Sequence, residues 1–191
     1  MTNAFGQSAT EEAAELAAQW VSRGVKTVVI CDTDGCLTDN TVRVDTNGLE
    51  SLTFTKRDFW LIPDARKAGI EVVIHTSDKS VSIPAARAAK VSVPFIGVDG
   101  GKGKAPLVRA FKAAGARVIY IGDAPADVEA MKEADEAWCP SDADLGPGAV
   151  FESGTRDGYK IGETLVRVTY VKGGHGVLHE VLGYLLAEVR K

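Results

Sequence analysis

The chain has 191 residues, of which 45% are hydrophobic, 7% aromatic and 25% charged, a length and mix that predict one domain with a substantial core and exclude disorder and collagen. Lys and Arg number 22 against 26 Asp and Glu, a formal charge of −4. No basic footprint is present to attract a polyanion, which speaks against nucleic acid as a partner. The three cysteines, Cys31, Cys36 and Cys139, lack CxxC spacing and predict a reduced compartment, not a disulfide framework. The first twenty residues lack the basic and apolar regions of a signal peptide, and no apolar run approaches the roughly 18 residues of a membrane span. A cytoplasmic protein without membrane contact is expected.

In chain order, Ser8 and Thr10 precede Glu11 and Glu12, and Ala14, Leu16, Ala17 and Trp20 then recur at helical spacing until Gly24. A helix is predicted within residues 1–25. The run KTVVICD is apolar and β-branched without alternation, the pattern of a strand buried on both faces of a parallel sheet. Residues 41–56 instead alternate apolar and polar positions around Asn47-Gly48 and predict a projecting β-hairpin. Further short apolar runs follow at EVVIHT, PFIGV, ARVIYIGD and EAWCP, separated by helical stretches at Pro63–Ala68, Ser82–Lys90, Ala105–Ala114 and Asp127–Ala134. Residues 142–160, rich in Gly, Pro and acids, read as a surface loop. The tail, 164–191, carries TLVRVTYV, a Gly-rich turn, and a final helix with Val177, Leu178, Val181, Leu182, Leu185 and Leu186 on one stripe. Strand and helix alternate, so the predicted class is α/β: one Rossmann-like, doubly wound, mostly parallel sheet.

The tips of these strands are unusually polar. The first strand ends in Asp32-Thr33-Asp34-Gly35, the second in Thr76-Ser77-Asp78 and the fourth in Gly122-Asp123, with Asp127 one helical turn later; Lys102 and Lys104 open a helix between the last two. In a parallel sheet these tips share one edge, where ligands collect. Clustered carboxylates repel one another and need a cation to coexist ionised. Oxygen donors without nearby His or Cys point to Mg²⁺. A carboxylate beside such an ion suits phosphate chemistry. Asp32 is the candidate nucleophile, Asp34 the acid and base, and Thr76 a donor to phosphoryl oxygens. Lys104 would neutralise phosphate and nucleophile, Asp123 would complete the metal shell, and Asp127 would either orient a metal-bound water or hold Lys104.

This arrangement resembles the haloacid dehalogenase (HAD) superfamily, whose motifs are DxD, a Ser or Thr after the second core strand, a Lys, and GDxxxD. All four occur in that order, as Asp32-Thr33-Asp34, Thr76, Lys104, and Gly122-Asp123 with Asp127. Beyond Lys26, CDTDGCLTDN, the NG hairpin, FTKRD and GGHGVLHEVL are similar to the patterns of 3-deoxy-D-manno-octulosonate 8-phosphate phosphatases. The resemblance implies a HAD fold and a Mg²⁺-dependent phosphatase of phosphorylated eight- or nine-carbon acidic sugars, assembled as a homotetramer. It implies Asp32, Asp34 and Asp123 as metal residues, and Thr76, Ser77, Arg57, Trp60 and His175 as substrate-binding positions. Three places depart from the branch pattern: Phe59-Trp60 stands where Gly is usual, Ser77-Asp78 replaces Gly-Arg, and His175 replaces Arg. These changes point to a substrate other than, or broader than, the octulosonate. The gaps from Asp34 to Thr76 and from Thr76 to Lys104 are consumed by the hairpin and ordinary crossovers, which leaves no room for a cap domain. A neighbouring subunit is therefore expected to cover the cleft with its hairpin or tail.

Plainer readings stand beside these. Asp34 suits a turn, Thr76 suits a helix N-cap, and Lys102 competes with Lys104 for the motif position, which family spacing assigns to Lys104. His75 lies in an apolar strand and reads as a satisfied core histidine; His175 and His179 suit a surface, Trp20 and Trp138 the core, and Trp60 the cleft. GGKGKA fails the phosphate-loop pattern because Ala105 follows Lys104. The rival function is a non-catalytic oligomerisation module of the kind fused to sugar cytidylyltransferases. A phosphoacceptor signalling domain fits less well, since its acceptor Asp would not sit on the first strand.

Overall fold

The computed structural model describes residues 8–78, 81–98, 100–152 and 158–190. The first helix, α1 (Ala9–Ser22), begins where the sequence places a cap: Glu11 N donates to Ser8 Oγ at 3.3 Å while Ser8 N donates to Glu11 Oε2 at 2.7 Å. Its Ala13, Ala17 and Trp20 are buried, with the Trp20 ring 5.8 Å from Phe111. Residues 1–7 of the predicted helical segment lie outside the described residues.

The apolar runs become β1 (Thr27–Asp32), β4 (Ile70–Thr76), β5 (Phe95–Gly97), β6 (Arg117–Ile121) and β7 (Glu136–Cys139). Between them lie the hairpin strands β2 (Arg43–Val44) and β3 (Glu50–Ser51) and the helices α2 (Ile62–Lys67), α3 (Ser82–Lys90), α4 (Lys104–Ala113) and α5 (Val128–Glu133). The chain then forms β8 (Val150–Glu152), β9 (Gly158–Ile161), β10 (Thr164–Val168) and α6 (Val177–Val189). The main sheet has the order β5-β4-β1-β6-β7-β10-β9-β8, parallel from β5 through β10 and antiparallel over β9 and β8. Among the described residues no cap domain is inserted between the strands.

Each central strand alternates its side chains between two cores, as the two-residue period requires. Val28 and Ile30 of β1, Val118 and Tyr120 of β6 and Val73 of β4 pack with α1, α4 and α5 residues. Val29, Cys31, Ile119, Ile121, Val72 and Ile74 pack on the opposite face with α2 and α6. All six positions of the predicted apolar stripe on α6 are buried. The doubly covered sheet explains why these strands read as continuous apolar runs.

One expectation is corrected. Residues 142–160 are not one surface loop, because β8 and β9 lie there and extend the sheet, with Tyr159 opposite Val166 and Lys160 opposite Leu165. The hairpin forms around Asn47-Gly48 as expected: Arg43 pairs with Ser51 and Val44 with Glu50, Gly48 N donates to Asp45 O at 3.0 Å to close the turn, Gly48 takes a left-handed φ of +78°, and Asp45 Oδ1 accepts Asn47 N at 2.8 Å and Leu49 N at 2.9 Å.

Candidate active site

The sheet reverses its winding between β1 and β6, since β4 and β5 extend it one way from β1 and β6 starts the other. Loops from the carboxyl ends of these strands part at such a point and leave a crevice. Asp32 is the last residue of β1 and pairs in register with His75 of β4, while Ile30 pairs with Tyr120 of β6. By alternation Asp32, His75 and Tyr120 face the layer that holds α4 and α5, where Lys104 opens α4 and Asp127 precedes α5.

These groups form one buried network. Lys104, 2% exposed, donates from Nζ to Asp32 Oδ2 at 2.6 Å and to Asp127 Oδ1 at 2.7 Å. Asp32, 5% exposed, accepts Thr33 N on Oδ1 at 2.9 Å, and the Thr33 hydroxyl ties the tip to His75 O at 2.7 Å. Tyr120 OH donates to Asp127 Oδ1 at 2.6 Å and lies 2.9 Å from His75 Nε2. Asp127 Oδ2 accepts the backbone N–H groups of Asp123 at 3.2 Å and Ala124 at 3.1 Å. Four donors thus fill both oxygens of Asp127, whose acceptor capacity is about four lone pairs. Of the two roles open to Asp127, the geometry shows it holding Lys104. Lys102 is exposed.

Asp34 is half-buried and accepts Thr76 Oγ1 on Oδ2 at 3.2 Å; Thr76 in turn accepts Asp78 N at 3.0 Å. Thr76 therefore caps the local turn and not α3, which starts at Ser82. Asp123 reaches the same spot because Gly35, at φ +71°, has no side chain: a Cβ there would collide with the Asp123 carboxylate. Gly122 is bare for a parallel reason, since a Cβ would strike the Asp127 carboxylate. A cleft of about 290 Å³ opens over Asp32, Asp34, Thr76, Ser77, Lys104 and Asp123. A second hollow of about 360 Å³ shares Asp34, Asn40 and Asp78 with it and runs under the hairpin past Val42, Glu50 and Leu52 to Ile83 and Pro84.

Electrostatics follow from crowding. Burial opposes the Lys104 charge, but the Asp32 and Asp127 carboxylates outweigh it and raise its pKa above the ordinary lysine value. Burial, then Asp127, pushes the Asp32 carboxyl above the usual range against the pull of Lys104. Burial also raises Asp34, and it raises Asp123 to about 7 with help from the charges of Asp127 and Asp34. His75 is lowered to about 3 by burial and then by Lys104, so it is neutral.

Four carboxylates thus face one ammonium, and Asp127 is saturated. Asp32, Asp34 and Asp123 remain as an oxygen-only donor set with excess negative charge, which fits a hard divalent cation. Asp32, His75 and Asp127 also present ligand atoms within 4.8 Å of one another. That grouping already encloses the Lys104 ammonium, whose two carboxylate contacts fill the space a cation would need. The open cleft is the better place for an ion.

Arg57, Trp60 and His175, predicted to contact substrate, do not line this cleft. They gather instead at the start of α6. A Cβ on Gly176 would touch Arg57, the Trp60 ring meets His179 edge-on at 6.2 Å, and His175 Nδ1 lies 2.7 Å from Gly173 O. The cause is Asp58 between them: its Oδ1 accepts Leu178 N at 2.9 Å and His179 N at 3.3 Å, which pins residues 56–60 to the helix N-terminus. Sequence reasoning missed Tyr120; it read His75 as a satisfied core histidine, and His75 is buried with Nε2 paired to Tyr120 while Nδ1 has no partner. The signal was present, a histidine inside an apolar strand, but its partner lies on a strand that is not its neighbour.

The fold is that of solved HAD family hydrolases. Among solved structures similar to the chain are three 3-deoxy-D-manno-octulosonate 8-phosphate phosphatases. The cobalt-bound form from Haemophilus influenzae has a TM-score of 0.67 at 23% identity, over 87% of this chain and 90% of that one. The Moraxella catarrhalis enzyme, in complex with magnesium, phosphate and the KDO molecule, has a TM-score of 0.67 at 21% identity, over 93% and 91%. The Yersinia pestis enzyme has a TM-score of 0.67 at 22% identity, over 93% and 86%. No protein-family model and no curated protein matches the sequence.

Proposed function

We propose that the chain is a Mg²⁺-dependent phosphomonoester hydrolase that works through an aspartyl-phosphate on Asp32. The observation that carries this reading is Lys104, buried and bridging Asp32 to Asp127 beneath a cleft shared with Asp34, Thr76 and Asp123. A structural ion pair needs one carboxylate; the further acids around one open space do not help folding and are suited to chemistry.

In the first step an oxygen of Asp32 bonds to phosphorus as the bond to the leaving oxygen breaks, and the Asp34 carboxyl protonates the departing alkoxide. Burial raises its pKa, a shift in the direction that favours this task. In the second step Asp34 takes a proton from water as the water oxygen bonds to phosphorus, which releases inorganic phosphate and restores Asp32. Lys104 offsets charge on the phosphoryl group and keeps Asp32 aimed. Thr76 and Ser77 border the same space, which supports them as donors to phosphoryl oxygens, Thr76 by turning its hydroxyl from Asp34. Asp32, Asp34 and Asp123 would hold Mg²⁺, which when bound offsets phosphoryl charge.

The substrate we favour is a phosphorylated acidic sugar such as 3-deoxy-D-manno-octulosonate 8-phosphate or a nine-carbon relative, supported by the likeness to the Moraxella enzyme and its bound KDO. Asp78 and Glu50 beside the second hollow favour a broader choice than the octulosonate alone. Arg57, Trp60 and His175 lie outside this chain's own cleft, so we assign them to the cleft of a neighbouring copy in a homotetramer. The full acidic and basic set argues against the non-catalytic module. The test is phosphate release from an aryl phosphate and a panel of sugar phosphates with Mg²⁺. Release abolished by EDTA and by Asp32→Asn is expected; no release from any of them would overturn the reading.

A further inference from the structure

We propose that Tyr120 and His75 are positioning residues, a buried hydrogen-bonded chain that holds Asp127 and, through it, fixes Lys104 against Asp32. The inference rests on the phosphatase reading for its kinetic consequence, but the chain itself is a matter of geometry.

Asp127 Oδ1 accepts both Lys104 at 2.7 Å and the Tyr120 hydroxyl at 2.6 Å. A carboxylate cannot donate, so the hydroxyl proton lies toward Asp127. The Tyr120 oxygen is then free only to accept, and the group 2.9 Å away is His75 Nε2. His75 must therefore be the tautomer with its proton on Nε2. Its Nδ1 is left as a bare lone pair, and that atom is buried without a hydrogen-bond partner, 3.9 Å from Asp32 Oδ1. The opposite tautomer would leave two acceptors facing each other between Tyr120 and Asp127 and would aim an N–H at the attacking carboxylate. The inferred order avoids both faults: among the described residues, the oxygen of Asp32 that Lys104 does not hold receives only Thr33 N–H.

Neutral groups suit this task. A second cation at Asp127 would compete with Lys104 for it, whereas an apolar neighbour would leave an acceptor of a buried carboxylate unfilled. The register explains how the chain is built: Asp32 stands opposite His75, Ile30 opposite Tyr120, and the alternating side chains face α4 together.

Two readouts test the proposal. Long-range ¹H–¹⁵N spectra of histidine-labelled protein, with His75→Gln used to assign the signal, should show a neutral His75 protonated on Nε2. Tyr120→Phe should shift that population toward Nδ1. A proton on Nδ1 in the wild-type protein, or no response to Tyr120→Phe, overturns the chain. This arm is independent of activity, so it separates failure of the chain from failure of the phosphatase reading. In kinetics, Tyr120→Phe should lower kcat about 10–100-fold with KM unchanged, the usual worth of a partner one shell out. His75→Leu should act alike, His75→Gln should restore most of the rate through its own N–H, and the double Tyr120→Phe/His75→Leu variant should be no worse than Tyr120→Phe alone. Additive losses, a raised KM at unchanged kcat, or a Gln variant as slow as Leu would assign these side chains to packing only.

Discussion

Asp32 and Asp34 are two residues apart yet sit in different surroundings, and that difference supports the separate roles proposed for them. Asp32 is buried and gripped by Lys104; Asp34 is half-open and touched by Thr76. Asp32→Asn should abolish turnover with melting behaviour intact, since the amide keeps the shape but is no nucleophile; a wild-type rate would discard covalent catalysis. Asp34→Asn should slow turnover by roughly 10²–10⁴-fold, the usual worth of a general acid, and an unchanged rate would reassign that role. Gly35→Ala makes a separate demand. Its left-handed backbone at φ +71° and the Asp123 carboxylate over its Cα both exclude a methyl group. That variant should weaken divalent-cation binding by calorimetry, and unchanged affinity would remove Asp123 from the cation site. Asp32, Thr76 and Asp123 were legible because each stands where a strand stops being apolar, and Lys104 because it opens a helix between two such strands. Tyr120 was not, because it reads as one more large side chain in a buried strand until strand order places it near His75.

Helix α6 depends on a cap that no local sequence rule identifies, because Asp58 lies about 120 residues away in sequence. Asp58 Oδ1 takes two helix N–H groups, but Oδ2 is buried without a partner, and burial raises the carboxyl to about 7 despite those N–H groups and the charges of Arg57 and Arg87. Linkage then sets the sign. Below about pH 3.8 Asp58 is protonated in folded and unfolded chains alike. As pH rises toward 7 the unfolded chain gives up its proton and the folded one keeps it, so stability falls. Asp58→Asn keeps an acceptor without the charge, and its melting temperature relative to wild type should climb between pH 4.5 and 8; a constant difference would contradict the burial argument. Asp58→Ala should cost about 0.5–2 kcal/mol of stability through the lost cap. The five apolar runs and the α6 stripe were readable because burial on both faces leaves a continuous apolar run and burial on one face leaves a helical period. Strands β8 and β9 were not, since three or four residues among Gly, Pro and acids carry too short a pattern, and partners rather than propensity make them strands.

The molecule joins a doubly covered, mostly parallel sheet to an exposed hairpin, with no cap domain among the described residues, so its cleft is open from one side. Val44 at 59% and Leu49 at 67% exposure put apolar surface on that hairpin, which supports burial against another copy. Light scattering should give a mass several times that of one chain, and a Val44→Glu/Leu49→Glu variant should fall apart into single chains with reduced activity and an unaltered circular-dichroism spectrum. A wild-type protein that is one chain and fully active would end the shared-lid idea and leave Trp60, at 64% exposure, without a substrate role. The fold and the acidic edge of the sheet were thus open to sequence reading, while assembly depends on surfaces whose partners a single chain does not contain. The most direct measurement is acid-quench mass spectrometry of the Asp32 peptide during turnover of an aryl phosphate. A phosphoryl group that appears on Asp32, decays with turnover and is missing in Asp32→Asn is predicted; steady phosphate release with Asp32 never modified would contradict the mechanism.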